Sequence, residues 1–504
     1  MTKKGLIVIL MALFVVAGFG TAFAVQTNGM TSNNQLVGSG AARLPQAGLN
    51  ALSVNDFANG LTAGLDVNVN PDALGDTLIY NYFNARSDMA TFFSVVNTSS
   101  LPIRARVRFH EGANIAGSTC TSGSWEILDF DVCLTPNDMW TGYVKQVPSG
   151  STPNTNGGQI CSVDNHTLVW DNVSSHTLGT ATGGEGCFNF KYGPQNPVSG
   201  ITADNTLEGY FTIIGEYVQN NVPYAAANYT CDPTSRYGTY LGTGTVGDVP
   251  NALTGYAFVA DIADPANSPF YGYNATAIAD FNNVALNTAN VFASETPTLS
   301  ADGGDLLRGI NYILTKEQVM STYLLWDSWE TELVLTFPTK RYTETAASCS
   351  GIFHDPRVTI TVWDDDENTH TSGCQNSPCI GAADDQIPYE LNVLPVNMLS
   401  NTNFMMPSTL HAPNGSVIQN GTISTQDYDR GWVNINFNSA TTTLVPLHQT
   451  IANEGATGTA FTAHGWPVLS LQLLNYKNFS GAVPMAAKTN ITTAAGTAAT
   501  TAPY

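Results

Sequence analysis

The clearest signal along the chain is alternation. Ile103-Arg104-Ala105-Arg106-Val107-Arg108-Phe109 is apolar and charged by turns. Successive strand residues point to opposite faces, so this segment predicts a half-buried β-strand. Leu128-Asp129-Phe130-Asp131-Val132 repeats the period with the opposite charge. Paired antiparallel, the two strands would set Arg104, Arg106 and Arg108 against Asp129, Asp131 and Glu126, as exposed ion pairs, and turn Ile103, Ala105 and Val107 inward. Docking of an acidic partner is the other use for such a stripe. The same period returns downstream at Glu332–Phe337, Val358–Val362, Val433–Phe437 and Leu469–Leu473. Each places apolar side chains on one face and short polar ones on the other.

Short strands separated by Gly, Asn and Pro predict an all-β fold of two or three sandwich-like antiparallel units with few short helices. Two sites carry helix-start chemistry. Thr135-Pro136-Asn137-Asp138 has an N-cap residue followed by Pro, and Thr315 with Gln318 forms a capping box ahead of Val319 and Met320. The domain reading is a signal peptide over 1–24, an extended arm over 25–60, a sandwich-like domain over 61–230, a second β-rich domain or pair of units over 231–485, and an Ala/Thr-rich tail over 486–504. The tail is expected to be flexible unless it adds to another subunit.

The leader reading rests on Lys3 and Lys4, the apolar run Gly5–Phe19 and the small residues of Ala22-Phe23-Ala24. Together they predict export and cleavage after Ala24, without a membrane span in the mature chain. Export in turn gives the 8 cysteines an oxidising compartment, and an even number suits disulfides. Local closure favours Cys120 with Cys133 and Cys374 with Cys379, while the remaining pairings stay open.

Net charge is −22, yet charged residues make up only 12% of the chain, and 45 glycines stand among many Asn and Thr. Such a surface excludes nucleic acid as a partner, disfavours anionic lipid and attracts cations. No Gly-x-Ser-x-Gly elbow, His-Glu-x-x-His helix or Walker loop is present. The Gly242–Gly247 match to a dinucleotide loop runs into Asp248-Val249-Pro250, where a helix would have to begin. A non-enzyme is therefore expected, with a glycan-active hydrolase as the residual alternative.

Two constellations remain. Asp364, Asp366 and Asn368, in the run Asp364-Asp365-Asp366-Glu367-Asn368, offer alternate oxygens to Ca²⁺, against the plainer reading of a solvated acidic turn. Trp326 and Trp329 place two indoles three residues apart beside Asp327, a possible carbohydrate platform, against the plainer reading of sandwich-core tryptophans.

Phe92–Ser100, Arg104–Glu111, Leu128–Gly142, Tyr273–Ala277 and Leu333–Arg341 resemble a group of surface-layer-like secreted proteins of anaerobic Gram-negative bacteria. The resemblance implies a bacterial cell-surface location and brings no catalytic motif. The expected function is a structural subunit of a cell surface or extracellular assembly, its partners being copies of itself and cell-surface glycans. A carbohydrate-binding adhesin is the alternative.

Overall fold

The structure is a computed structural model. It describes stretches of chain between Asn68 and Ala499; residues 1–67, residues 500–504 and a series of intervening segments lie outside them. The leader and the arm fall outside the described residues. What is described is almost entirely antiparallel strand, as the alternation predicts. The one named helical element among the described residues is a 3-10 turn, Asp204–Leu207.

Two sheets form the first sandwich. The central strands of sheet I are, in order, Thr77–Asn84, Glu208–Gln219, Ile103–Glu111 and Glu126–Leu134. Those of sheet II are Gly158–Ser162, Met139–Gln146, Met89–Asn97, Leu253–Asp261 and Phe270–Asn274. Their facing sides interlock through rings: Phe93 of sheet II lies 4.9 Å from Phe211 and 6.1 Å from Tyr80, and Trp140 lies 5.7 Å from Phe130. Residues 253–279 complete these sheets, so the first sandwich extends past the expected boundary at 230.

The Thr135–Asp138 segment is a tight turn, not a helix start. Asp138 N–H donates to Thr135 O at 3.0 Å, Asp138 Oδ2 accepts from Thr135 N–H at 3.0 Å, and Asn137 takes φ 59°. Pro followed by Asn at positive φ is turn chemistry, and here it carries the chain from sheet I to sheet II. The Thr315 capping box also fails to start a helix, because Gln318–Leu324 is a strand. A β-branched and aromatic run outweighs a local cap.

The arginine strand pairs as predicted. Arg106 lies opposite Asp131 and Arg108 opposite Asp129, while Ile103, Ala105 and Val107 are in the core. Ion pairs join Arg104 to Asp131, Arg106 to both Asp129 and Asp131, and Arg108 to Glu126. The expectation of exposed pairs is overturned, since both Arg108 and Asp131 are 0% exposed. Desolvated, these ions depend on one another far more than surface pairs do.

The second unit is built on sheets III and IV. Sheet III runs Leu391–Val396, Trp329–Thr336, Leu469–Tyr476, Phe479–Pro484. Sheet IV runs Thr369–Thr371, Thr359–Asp364, Arg430–Asn436, Gln318–Leu324, Ala486–Lys488. Leu333, Leu335 and Leu394 pack with Val319, Ile360, Val433 and Ile435 between these two sheets. The opposite face of sheet III, through Val334, Val393, Leu471 and Leu473, joins the core of the first sandwich. Sheet III is therefore a middle layer buried on both sides, where the sequence suggests one polar face. Its polar side chains are absorbed by bonds such as Thr336 Oγ1 to Asn81 O at 2.6 Å. The first part of the expected tail is also built in: Ala486–Lys488 adds to Gln318–Leu324, and Asn490–Thr493 to Phe461–His464.

Cys161 and Cys187 form a disulfide across directly opposed positions of Gly158–Ser162 and Cys187–Asn189. Cys133 is disulfide-bonded, while Cys120, Cys374 and Cys379 lie outside the described residues, and with them the expected pairings Cys120–Cys133 and Cys374–Cys379. The Cys161–Cys187 bridge spans a sequence separation of 26, so closing that loop is worth about 3–4 kcal/mol through the unfolded chain. A Cys161→Ser, Cys187→Ser double variant is expected to lose about that much in urea unfolding. An unchanged midpoint would show that the sheet already holds these strands together.

Candidate functional site

The two units meet at a buried polar junction. Arg86 Nε donates to Glu208 Oε2 at 3.0 Å, and its Nη1 to Asp204 Oδ1 at 2.6 Å. Tyr82 Oη donates to the other oxygen of Glu208 at 3.0 Å. The second unit supplies the lid of this cluster through the segment 405–411. Thr409 N–H donates to Glu208 Oε2 at 3.3 Å, and Thr409 Oγ1 accepts from Arg86 Nη2 at 2.5 Å. Met405 and Met406 N–H groups donate to the two oxygens of Glu332, at 2.7 and 3.2 Å. Met406 and Leu410 fill the shared core on either side. The fit is close at Gly112, where a Cβ would meet Leu410 Cδ1 at 2.5 Å and Leu391 Cβ at 2.7 Å.

Burial dominates the electrostatics here. It pushes the Glu332 carboxyl up to about 8, with help from the charges of Glu208 and Glu330 and against the two backbone donors. Burial also raises Glu208, opposed by Arg86, and with the charge of Arg86 it lowers His411 to about 4. Both glutamates are about 1% exposed. Glu208 and Glu332 are each bonded by backbone N–H groups of the 405–411 segment, so the two acids clamp that segment in place.

The predicted sites fare differently. Asp364 ends its strand and is buried, its Oδ1 accepting from Asp366 N–H at 3.0 Å in a local turn, while Asp365 pairs with Arg430 at 2.6 Å. Asn368 lies outside the described residues, and among those described no group of three or more His, Cys, Asp or Glu is placed to hold a metal ion. Trp329 is half-buried with its ring stacked on Tyr476 at 4.7 Å, and Trp326 lies outside the described residues, so the two are not seen as one platform. Compared with models of protein families, with curated proteins and with solved structures, the chain matches none. Function must be read from its own surfaces. No helix among the described residues is long and apolar enough to cross a membrane.

Two surface features stand out, and sequence reasoning passed over both. The first is the edge of sheet III formed by Phe479–Pro484, where Phe479 is 71% and Val483 45% exposed. The opposite edge, Leu391–Val396, is covered by the 405–411 segment, with Val393 N–H donating to Leu410 O at 3.0 Å. The second is the outer face of sheet IV, where Trp363 and Trp432 stand directly opposite each other with ring centroids 3.8 Å apart. Their signal was present in the alternation. Trp363 is in phase with Thr359 and Thr361, and Trp432 with Asn434 and Asn436, so both indoles fall on the polar side of their strands.

Proposed function

We propose that this chain is a non-enzymatic structural subunit of a bacterial cell surface or extracellular assembly, in which copies join through strand edges. The observation that carries this reading is the asymmetry of sheet III. One edge is covered by the chain itself, whereas Phe479–Pro484 has no further strand hydrogen-bonded to it among the described residues and exposes Phe479 and Val483, with Phe270–Asn274 of sheet II packed against it. Monomeric proteins blunt such edges with charge or cover, because an open strand is a template for another chain. Ser480 anchors the strand from behind, its Oγ donating to Phe270 O at 3.0 Å, which keeps the edge rigid for a partner. The junction between the units supports the same role, since a subunit under load gains from sandwiches that do not hinge. At a net charge of −22, copies packed side by side would need counter-cations. Ca²⁺ at acidic turns such as the one headed by Asp364 and Asp366 belongs to this proposal.

Sedimentation velocity and negative-stain microscopy of the purified chain, with Ca²⁺ and with chelator, test it. The chain is expected to form regular assemblies that shrink on chelation and are lost in a Phe479→Glu, Val483→Glu variant. Monomers at every concentration, or assemblies indifferent to those two substitutions, would overturn the proposal.

A further inference from the structure

A second surface points to a ligand, independently of assembly. We propose that the outer face of sheet IV is a binding platform for a neutral polysaccharide, seated against Trp432 and Trp363 and hydrogen-bonded by the amides and hydroxyls in line with them. The strands alternate cleanly here. Ile360, Val362, Val433 and Ile435 turn into the core, while the residues between them are half-exposed and point away from it. Registry places Trp363, Trp432 and Thr322 side by side across three strands, with Thr361, Asn434 and Met320 in the neighbouring row.

These residue types suit a sugar. A pyranose ring presents C–H groups on one face and hydroxyls around its rim, so it needs a flat aromatic surface flanked by uncharged donors and acceptors. The two indoles are stacked with planes 5° apart, and Trp432 is 36% exposed. Held by each other, they lose little freedom when a ligand arrives. The cross-strand neighbour of Trp432 on the side away from Trp363 is Thr322, short and exposed.

Charge selects the class of polymer. These two rows carry no ionisable side chain in a molecule of net charge −22, so the face is neutral while the whole repels polyanions. Asp365 and Arg430, each two residues from one of the indoles, pair with each other at 2.6 Å. A second copy of the chain is a poorer occupant. It brings the same negative charge, and sheets that pack face to face do so through apolar rows, whereas threonine and asparagine interrupt this one.

Affinity electrophoresis decides the matter. The purified chain would be run in native gels containing a β-1,3-glucan, a galactomannan, dextran or hydroxyethylcellulose, with polygalacturonate as the anionic control. At least one neutral polymer is expected to retard it, and polygalacturonate is not. Trp432→Ala is expected to weaken retardation about tenfold or more, as loss of a central tryptophan does at other interfaces. Thr322→Arg changes an exposed position without removing a core side chain, and is expected to do the same by covering the ring. Trp329→Ala should leave retardation unchanged. No retardation by any neutral polymer, or equal retardation of wild type, Trp432→Ala and Thr322→Arg, would overturn the proposal. So would a dimer in sedimentation that Thr322→Arg dissociates while no polymer binds, because the face would then be a contact between copies.

Discussion

Asp131→Ala is expected to destabilise the first sandwich by about 3–5 kcal/mol, the cost of leaving buried charge without its partner. Asp131 accepts from Arg106 at 3.1 Å and is also paired with Arg104, and all three side chains are buried. Removing the acid takes away a carboxylate shared by two buried guanidinium groups, although Arg106 retains Asp129. Asp129→Ala should cost less, because Arg106 keeps Asp131. Urea unfolding followed by tryptophan fluorescence measures both. If Asp131→Ala behaves like an ordinary surface substitution, with a loss under about 1 kcal/mol, water reaches these ions and the ladder is not a buried one.

The second large effect is a dependence of stability on pH, set by Glu332. Its folded pKa is about 8 against an ordinary 4.5, so the folded chain holds this proton more tightly than the unfolded chain does. The contribution is then fully present below about 4.5, falls as pH rises, and is gone above about 8. Across that interval it amounts to at most about 5 kcal/mol. Glu208 is displaced in the same direction and adds to the trend, while Arg86 and its pairing with Asp204 hold the cluster's positive charge constant. His411, lowered to about 4 against an ordinary 6.5, pulls the other way below about pH 6.5, so urea midpoints should decline for the wild type chiefly between about pH 6.5 and pH 8. In Glu332→Gln the decline should be shallower, since the amide keeps an acceptor for one of the Met405 and Met406 donors but has no proton to lose. The variant is expected to be the weaker protein at pH 5 and the stronger at pH 9. Parallel curves at all pH values would remove Glu332 as the source.

The strands were legible because alternation is local. Ile103–Phe109 and Leu128–Val132 announced their period, their partnership and their inward residues. The burial of their polar faces was not legible, because what covers a strand's second face comes from elsewhere in the chain. The same holds for sheet III: Leu333 and Val334 face different cores, and only the fold says that both are cores. Thr135-Pro136-Asn137-Asp138 misled because capping and turning use the same residues, and what separates them is whether a helical period follows. One pairing left open by nearness in sequence is set by the sheet. Cys161 and Cys187 are far apart in sequence and directly opposed in the sheet. Of the surface features, the Trp363–Trp432 pair could have been found by asking which tryptophans break the polar phase of a strand. The exposed edge at Phe479 could not, because being an edge belongs to a sheet and not to a segment.

The position of Leu469–Tyr476 bears on how the molecule comes into being. This strand lies late in the sequence yet inside sheet III, between Trp329–Thr336 and Phe479–Pro484, and its Leu471 and Leu473 close the flank of the first sandwich. A nascent chain can pair the strands between Thr77 and Ala279 early, but that flank stays open until Leu469–Tyr476 has emerged from the ribosome. For that interval the half-made molecule displays a sticky apolar side, and a holding chaperone is the natural guardian for it. Emergence of Leu469–Tyr476 then closes both sandwiches at once, like a keystone set after the arch.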